Sequence, residues 1–235
     1  MLIRRWKKIP EDMKNNAVLQ YYFMLRKKNF SLFFKRIFDI VVSFIMLILL
    51  SPLFLVLAIA IKADSKGPVF YRQVRITQWG REFRIFKFRT MVVNADKIGS
   101  QVTVQNDSRI TKVGKFIRKC RLDELPQLLN VFGGSMTFVG TRPEVPKYVA
   151  AYTDEMKATL LLPAGVTSLA SIKYKDEARL LENAENADET YIHEVLPQKM
   201  EYNLAAIRKY GFWRDIGTMF RTVGAVLKRD KAEKQ

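Results

Sequence analysis

The sequence is poor in the residues from which metal centres and nucleophilic sites are most often built. Its 235 residues include one cysteine, Cys120, and one histidine, His193. A single cysteine excludes an intramolecular disulfide, and the lack of a Cys/His pattern argues against a zinc site or a histidine-based triad. His193 is therefore interpreted as a packed or surface residue, so that any chemistry must rest on carboxylates, cations and a metal.

Common phosphate-binding loops are also missing, since the chain contains neither GxxxxGK[ST] nor GxGxxG. Acidic residues are few: 23 Asp and Glu stand against 40 Lys and Arg, which gives a net charge of +17. Such an excess attracts phosphates, whether they belong to nucleic acid, anionic lipid or a small molecule. No recognised DNA-reading motif is present, so no nucleic-acid partner is predicted.

The chain does have one long uncharged run, residues 40–61. The run is long enough to span a hydrocarbon core, but it is too long and too far from the first residue for a signal peptide. Because cytoplasmic flanks are normally the basic ones, and both flanks are basic here, both ends are predicted to lie on the same side of a membrane. The flanking cations are Arg26, Lys27, Lys28, Lys35 and Arg36 before the run and Lys62, Lys66, Arg72 and Arg75 after it.

Ser51 and Pro52 interrupt this run near its middle. Proline removes a helical N–H and clashes with the preceding turn, and the Ser51 hydroxyl can bind a backbone carbonyl that the break leaves free. The prediction is two half-helices, roughly residues 36–50 and 52–64, that enter one leaflet and return. The alternative is a proline-kinked helix that crosses the whole bilayer.

The predicted fold class is α+β and helix-rich. It comprises a re-entrant membrane helix broken at Ser51-Pro52 over residues 35–64, and a small cytoplasmic catalytic domain over residues 65–235. Residues 1–34 are basic and rich in aromatic side chains, which predicts an amphipathic interfacial lead-in.

Within the cytoplasmic part, Val69–Arg75 and Phe83–Met91 are β-like runs that predict a short hairpin around Gln78-Trp79-Gly80. Ile216 to Leu227 recur at helical spacing with interleaved cations, which fits an interfacial helix and equally a packed terminal helix. The other predicted helices cover residues 111–121, 125–132, 147–160 and 175–186.

Asp123 and Glu124 form the most informative polar pair, because they lie between Arg118 and Pro126. Pro126 suits a first helical turn, and a helix N-terminus favours both an ionised carboxylate and a bound phosphate. An aspartate can be a covalent nucleophile toward phosphorus, and Mg²⁺ is commonly held by one or two carboxylates plus substrate phosphates. A solvated helix start is the alternative for the pair taken alone.

Cations occur in two further segments that are candidates for phosphate binding. In Phe83–Met91, strand alternation places Lys87 and Arg89 on one face, either as a phosphate clamp or as a basic solvent-facing side. In the loop that begins at Gly140, Arg142 could donate a planar fork to a phosphate beside the rigid Pro143. Another rigid turn, Leu162–Ser168, could shape a nucleotide pocket.

Taken in order, these segments resemble the bacterial sugar transferase family, the monotopic polyprenyl-phosphate phosphoglycosyl transferases. The chain resembles a minimal form, without the extra spans and nucleotide-binding domain of larger members, and the likeness covers residues 35–222. Single pieces are degenerate, but the ordered set is specific. The matching segments are Lys35–Asp39, Ser51-Pro52, Gly67–Gln73, Phe86–Met91, Asp107–Arg118, Leu122–Leu128, Gly140–Pro143 and Asp215-Ile216.

The resemblance implies a UDP-sugar donor, a polyprenyl (undecaprenyl) phosphate acceptor and release of UMP at the cytoplasmic face of a bacterial inner membrane. It implies that Asp123 is the nucleophile, that Glu124 holds Mg²⁺, and that Lys87, Arg118 and Arg142 contact phosphates. Such a reaction initiates polysaccharide or glycoconjugate assembly. Homo-oligomerisation is left open. The competing hypothesis is a membrane-tethered, non-catalytic protein that binds anionic lipid or nucleic acid.

The chain departs from the family pattern at two places. Thr141 stands where the family commonly has proline, and residues 163–168 differ from the family's usual Pro-Gly-Ile-Thr-Gly turn. Because that turn is a candidate for shaping donor choice, the sugar is not predicted.

Overall fold

A computed structural model describes residues 3–95, 107–174 and 186–232 of the chain. The described part is helix-rich with two small two-stranded sheets, in agreement with the predicted α+β class. The helices are α1 (Asn16–Arg26), α2 (Asn29–Leu49), α3 (Ser51–Asp64), α4 (Lys112–Lys119), α5 (Gln127–Gly133), α6 (Pro146–Val149), α7 (Leu169–Lys173), α8 (Ala187–Thr190), α9 (Leu196–Arg208) and α10 (Phe212–Ala232). The strands are β1 (Phe70–Ile76), β2 (Glu82–Phe88), β3 (Met136–Val139) and β4 (Ala164–Thr167).

The predicted break in the apolar run is present between α2 and α3, which are bent by 61°. Pro52 occupies the first turn of α3, where its missing N–H leaves no helical bond unmade. The Ser51 hydroxyl donates to the carbonyl oxygen of Ile48 at 2.8 Å, as expected for a break in apolar surroundings. Among the described residues no single helix is long and apolar enough to cross a membrane, although the bent pair together has the necessary length and composition.

Large apolar side chains cover the outer surface of this helix pair and of α10. Because such a contiguous exposed apolar surface is unusual for a protein in water, it indicates a lipid-facing or partner-facing side. On α10 Met219 packs against a core cluster while Trp213, Phe220 and Val223 are exposed, so the terminal helix has both a packed part and an exposed apolar part. The side chains that are more than half exposed are Phe30, Phe44, Ile48, Leu49, Leu55, Val56 and Ile59 of α2 and α3, and Trp213, Phe220 and Val223 of α10.

The predicted β-hairpin is formed by β1 and β2, which pair antiparallel with Tyr71 opposite Lys87. Its connection contains Gln78–Gly80, as predicted, and Trp79 and Gly80 both have a positive φ there. Trp79 tolerates this strained backbone because its side chain is buried in the core.

The parallel pair of β3 and β4 was not predicted from the sequence. Each strand has only four residues, too few for a period of two to be visible. Gly140 and Gly165 meet beside this pair, and a Cβ built on Gly165 would lie 2.2 Å from the Gly140 nitrogen. The absence of a side chain at residue 165 therefore allows the loop after β3 to approach β4.

The interfacial lead-in predicted over residues 1–34 differs from the structure. Val18, Tyr22 and Leu25 of α1 are fully buried in the main core, where they share a cluster with Leu196 and Met200 of α9. Of the aromatic residues that suggested a membrane surface, Tyr21 and Tyr22 lie on this buried face, whereas Phe23 of α1 and Phe30, Phe33 and Phe34 of α2 are exposed. Sequence periodicity cannot distinguish these two burials, because both require an amphipathic helix.

The remaining helix predictions had mixed outcomes. Helices 111–121 and 125–132 correspond to α4 and α5, and Gly134 ends the latter with a φ of +85°. Residues 147–160 were wrongly predicted as one helix, since they contain the short α6 and part of a separate 3₁₀ segment, Met156–Leu161. Most of the helix predicted at 175–186 lies outside the described residues.

We expect Gly165→Ala to lower the free energy of unfolding by about 1–3 kcal/mol, the usual cost of overpacking, because the new methyl group would meet backbone that cannot move aside. Urea unfolding monitored by circular dichroism measures the change. Gly217→Ala in α10 is the matched control, since a Cβ there contacts nothing and alanine favours the helix. Equal stability of the two variants would contradict the close approach of Gly140 to Gly165.

Candidate active site

Asp123 and Glu124 lie in a short 3₁₀ turn, Leu122–Glu124, that leads into α5. Arg121, just before the turn, has a φ of +55°, so the chain bends sharply out of α4 before the acid pair. The pair therefore precedes α5, which agrees with the helix predicted from residue 125. Pro126 is the N-cap residue of α5, which begins at the next residue.

Glu124 is held between two cations from different parts of the chain. Lys87 Nζ of β2 lies 3.1 Å from Glu124 Oε1. Arg142 approaches from the loop after β3, with Nη1 3.2 Å from Glu124 Oε2 and Nη2 bonded to Oε1. The fold thus brings together three residues that the sequence analysis selected from three separate segments.

This arrangement decides the charge of Glu124. Burial by itself would raise the pKa of Glu124, but the charges and hydrogen bonds of Arg142 and Lys87 outweigh burial and hold the pKa well below its ordinary value. Glu124 is therefore an anion at neutral pH, with both oxygens engaged.

The neighbouring carboxylate has the opposite character. Burial, and then the negative charge of Glu124, raise the pKa of Asp123 above its ordinary value. The positive charges of Lys87, Arg118 and Arg121 oppose this rise. The structure assigns Asp123 no hydrogen bond or ion pair with any described residue, which leaves this carboxylate available to a ligand.

Arg118 extends from the last turn of α4 and is half-buried. Its charge lowers the pKa of Asp123, so it lies near the acid pair as predicted. Phe116 of α4 and Phe132 of α5 are exposed on either side of the pair in the sequence, and Phe132 stacks on Phe44 of α2 at 5.8 Å. Leu122 and Leu125, which flank the acid pair, pack against a cluster that includes Leu57 and Ile61 of α3, so the pair lies close to the bent helices.

The structure places Arg89 apart from this cluster, and its phosphate-binding role stays a prediction. Its buried guanidinium donates to the carbonyl oxygens of Ser65 at 2.7 Å and Lys66 at 2.6 Å. Carbonyls at a helix C-terminus lack intrahelical partners, so Arg89 supplies donors that the end of α3 needs. Arg89 therefore joins the hairpin to the α2–α3 helix pair.

The loop that carries Arg142 is held at successive residues. The carbonyl oxygen of Pro143 accepts a bond from Arg75 Nη1 at 3.1 Å, and that of Glu144 accepts from the Ile76 amide at 3.0 Å. Pro143 itself is buried, and its role beside a phosphate stays a prediction. The loop is thereby fastened to the end of β1.

The Glu144 side chain fastens the same loop to α9. Its carboxylate accepts hydrogen bonds from Tyr191 at 2.6 Å and Lys199 at 3.2 Å, and Lys199 also donates to the Tyr191 hydroxyl at 2.6 Å. All three side chains are buried. Neither Glu144 nor its partners Lys199 and Tyr191 were predicted as functional residues, because nothing in their local sequence marks them.

The donor set at the site suits Mg²⁺ shared with a substrate. No group of three or more His, Cys, Asp or Glu side chains that could enclose a metal occurs in the described part of the chain. Two adjacent carboxylates are nonetheless what Mg²⁺ uses when substrate phosphates and water complete its coordination. The residues therefore fit a metal that arrives with a phosphate ligand and do not fit a preformed metal cage.

An acidic pair set among Lys and Arg, beside an exposed apolar helix pair, is typical of an enzyme that handles phosphates at a membrane surface. Comparison with known proteins supports this class. A family model described as bacterial sugar transferase matches residues 30–229. The chain belongs to the bacterial sugar transferase family.

Several curated proteins are similar to this chain. It is 42% identical over 196 residues to a UDP-glucose:undecaprenyl-phosphate glucose-1-phosphate transferase of Klebsiella pneumoniae, covering 81% of this chain and 39% of that protein. It is 36% identical over 198 residues to a UDP-N-acetylgalactosamine-undecaprenyl-phosphate N-acetylgalactosaminephosphotransferase of Aeromonas hydrophila, covering 83% and 44%. A UDP-glucose:undecaprenyl-phosphate glucose-1-phosphate transferase of Caulobacter vibrioides is 34% identical over 201 residues, covering 84% and 71%. The chain thus spans about two fifths of the length of the first two relatives.

We expect Lys199→Met to lower the free energy of unfolding by about 3–5 kcal/mol, because it leaves the buried Glu144 carboxylate without its cation. Combining it with Glu144→Leu should recover part of the loss, since no buried charge then lacks a partner. Guanidinium unfolding of the single and double variants measures both effects.

Lys147→Met is the matched control for this experiment. Lys147 pairs with Asp188 at the surface, where the two side chains are 61% and 42% exposed, so its loss should change stability by about 1 kcal/mol or less. A similar effect of Lys147→Met and Lys199→Met would show that the buried network does not stabilise the loop.

Proposed function

We propose that the chain transfers a sugar-1-phosphate from a UDP-sugar to polyprenyl (undecaprenyl) phosphate and releases UMP. The observation that carries the proposal is the contrast within the acid pair: Glu124 is clamped by Lys87 and Arg142, whereas Asp123 has no partner among the described residues. The names of the relatives support the same donor and acceptor classes. The donor and the acceptor of this chain are inferred from its family membership.

The proposed reaction proceeds by two displacements at one phosphorus atom. An oxygen of the Asp123 carboxylate attacks the phosphorus that bears the sugar, and the bond from this phosphorus to the bridging oxygen breaks, so that UMP departs. The phosphosugar is then an acyl phosphate on Asp123. A phosphate oxygen of the polyprenyl phosphate attacks the same phosphorus, forms the diphosphate and releases the Asp123 carboxylate.

Phosphoryl transfer depends mainly on positioning and on neutralisation of charge. Arg118 lies beside Asp123 with no hydrogen-bond partner among the described residues, so its guanidinium is available to an entering phosphate. Lys87 and Arg142 hold Glu124 until a ligand competes for their donors. When bound, Mg²⁺ would supply further positive charge to the phosphate oxygens, and Asp123 and Glu124 are the residues that would hold it.

We further propose that α2 and α3 dip into one leaflet of the bacterial inner membrane, with the acid pair on the cytoplasmic face. The 61° bend, the exposed apolar surface of both helices and the basic residues on both flanks support this placement. A lipid-linked acceptor and a water-soluble donor would then meet at the interface. A fully membrane-spanning arrangement would separate the two basic flanks.

Asp123→Asn should abolish UMP release, because a carboxamide oxygen is a far weaker nucleophile toward phosphorus. Detergent-solubilised protein incubated with a UDP-sugar, Mg²⁺ and polyprenyl phosphate provides the assay. Asp154→Asn, which alters an exposed carboxylate paired only with Lys157, is the matched control and should retain activity. Normal turnover by Asp123→Asn would contradict the proposed mechanism and leave a non-catalytic role for the acid pair.

Single cysteines introduced at residues 30 and 66 in a Cys120→Ser background should label from the same side of sealed vesicles. The reason is that α2 and α3 return to the leaflet they enter. A membrane-impermeant maleimide, applied before and after the vesicles are opened, measures the sidedness. Labelling from opposite sides would support a full span.

A further inference from the structure

A concavity lies behind the loop that carries Arg142. It is a cavity of about 220 Å³, enclosed by β3, the loop after it, α7, α9 and the first turns of α10. Gly140 and Thr141 form part of its wall, and the next residue, Arg142, binds Glu124. The cavity therefore adjoins the backbone that positions the acid pair's main cation.

One polar side chain in this cavity lacks an adequate partner. Asn203 of α9 lines the cavity and is only 5% exposed. Within the described residues, its carboxamide makes a single weak contact, from Nδ2 to the Met200 sulfur at 3.8 Å. Most of the hydrogen-bonding capacity of this carboxamide is therefore available to a ligand in the cavity.

We infer that this cavity is the subsite for the uracil and ribose of the nucleotide donor, an inference that rests on the proposed function. Ligand pockets for whole drug-sized molecules usually measure about 300–1,000 Å³, so a smaller cavity suits one part of a nucleotide-sugar. A carboxamide presents a donor and an acceptor side by side, and the imide edge of uracil presents the complementary pair.

The other lining residues also suit a flat heterocycle. Tyr202 and Tyr210 contribute aromatic surface, and Leu162 and Leu169 contribute apolar walls. The isoprenoid tail of the acceptor has no groups that could bond Asn203, so a tail lying in this cavity would leave the carboxamide unpaired. The diphosphate of a donor bound here would extend past Thr141 toward Arg142.

Equilibrium binding of UMP to the detergent-solubilised full chain tests the inference without turnover. Asn203→Leu keeps the size of the side chain and removes its hydrogen bonds, and it should weaken UMP binding by about tenfold, the upper range for one neutral hydrogen bond. Ala205→Leu narrows the same cavity without touching the carboxamide and should also weaken UMP binding. Gln198→Leu removes an exposed carboxamide from the same helix and is the matched control, with unchanged UMP binding.

Steady-state kinetics complete the test. Both cavity variants should raise the KM for the UDP-sugar and leave the KM for polyprenyl phosphate unchanged. Asn203→Leu should not lower the unfolding midpoint, since the carboxamide makes only one weak contact, to the Met200 sulfur, and leucine keeps the size of the side chain. Unchanged UMP affinity in both variants, with normal UMP release, would overturn the inference and leave the proposed function standing. A rise only in the KM for polyprenyl phosphate would overturn it in favour of the acceptor. If the unsubstituted chain released no UMP at all, the proposed function itself would fail. The UMP-binding measurements would still decide whether the cavity binds a uridine nucleotide.

Discussion

The geometry of the site depends on two adjacent cations in α2. Lys35 is buried and donates to the Val139 carbonyl oxygen at 2.9 Å and to the Asp215 carboxylate, which ties α2 to the end of β3 and to α10. Arg36 donates to the carbonyl oxygens of Val131 at 2.6 Å and Phe132 at 2.8 Å, at the end of α5. Because β3 leads to the loop of Arg142, and α5 follows the acid pair, one turn of α2 fixes the apolar helix pair relative to both halves of the site.

This attachment matters because the two carboxylates need different surroundings. Lys87 and Arg142 must reach Glu124 from two separate elements, and only a rigid arrangement keeps both within bonding distance. Asp123, one residue earlier, is left without such partners and has a raised pKa. Two neighbouring acids of similar intrinsic chemistry thus acquire opposite properties, because the fold distributes the cations unequally between them.

The dependence of a side chain's role on its tertiary neighbours also explains which predictions the structure changed. The hairpin, the break at Ser51-Pro52 and the helices α4 and α5 were visible in the sequence because turn residues, proline and period are local signals. Arg89 was predicted to share a strand face with Lys87, yet it lies one residue past the end of β2 and caps α3, while Lys87 reaches Glu124. Strand alternation gives the face on which a side chain lies, but it does not give the element that packs there.

Two other differences have the same origin. The amphipathic pattern of α1 predicted a helix with one apolar face, and α9 rather than a lipid surface covers that face. The strands β3 and β4 have four residues each, too few to show a hydrophobic pattern. They also pair across an intervening stretch of the chain, which local sequence does not reveal. Burial partners and long-range pairing depend on contacts between distant residues, which local sequence does not encode.

The sequence by itself determined the chemistry that is possible: an acid pair, several scattered cations, a broken apolar run and no histidine-based or cysteine-based site. It also determined the family, because the ordered set of motifs is specific even though each single motif is degenerate. Only the tertiary structure decided that Lys87 and Arg142 converge on Glu124, that Asp123 remains unpaired among the described residues, and that Glu144, Tyr191 and Lys199 hold the loop between them. The physical reason is that hydrogen bonds and charge interactions act over a few ångströms in space, and folding alone determines which residues come that close.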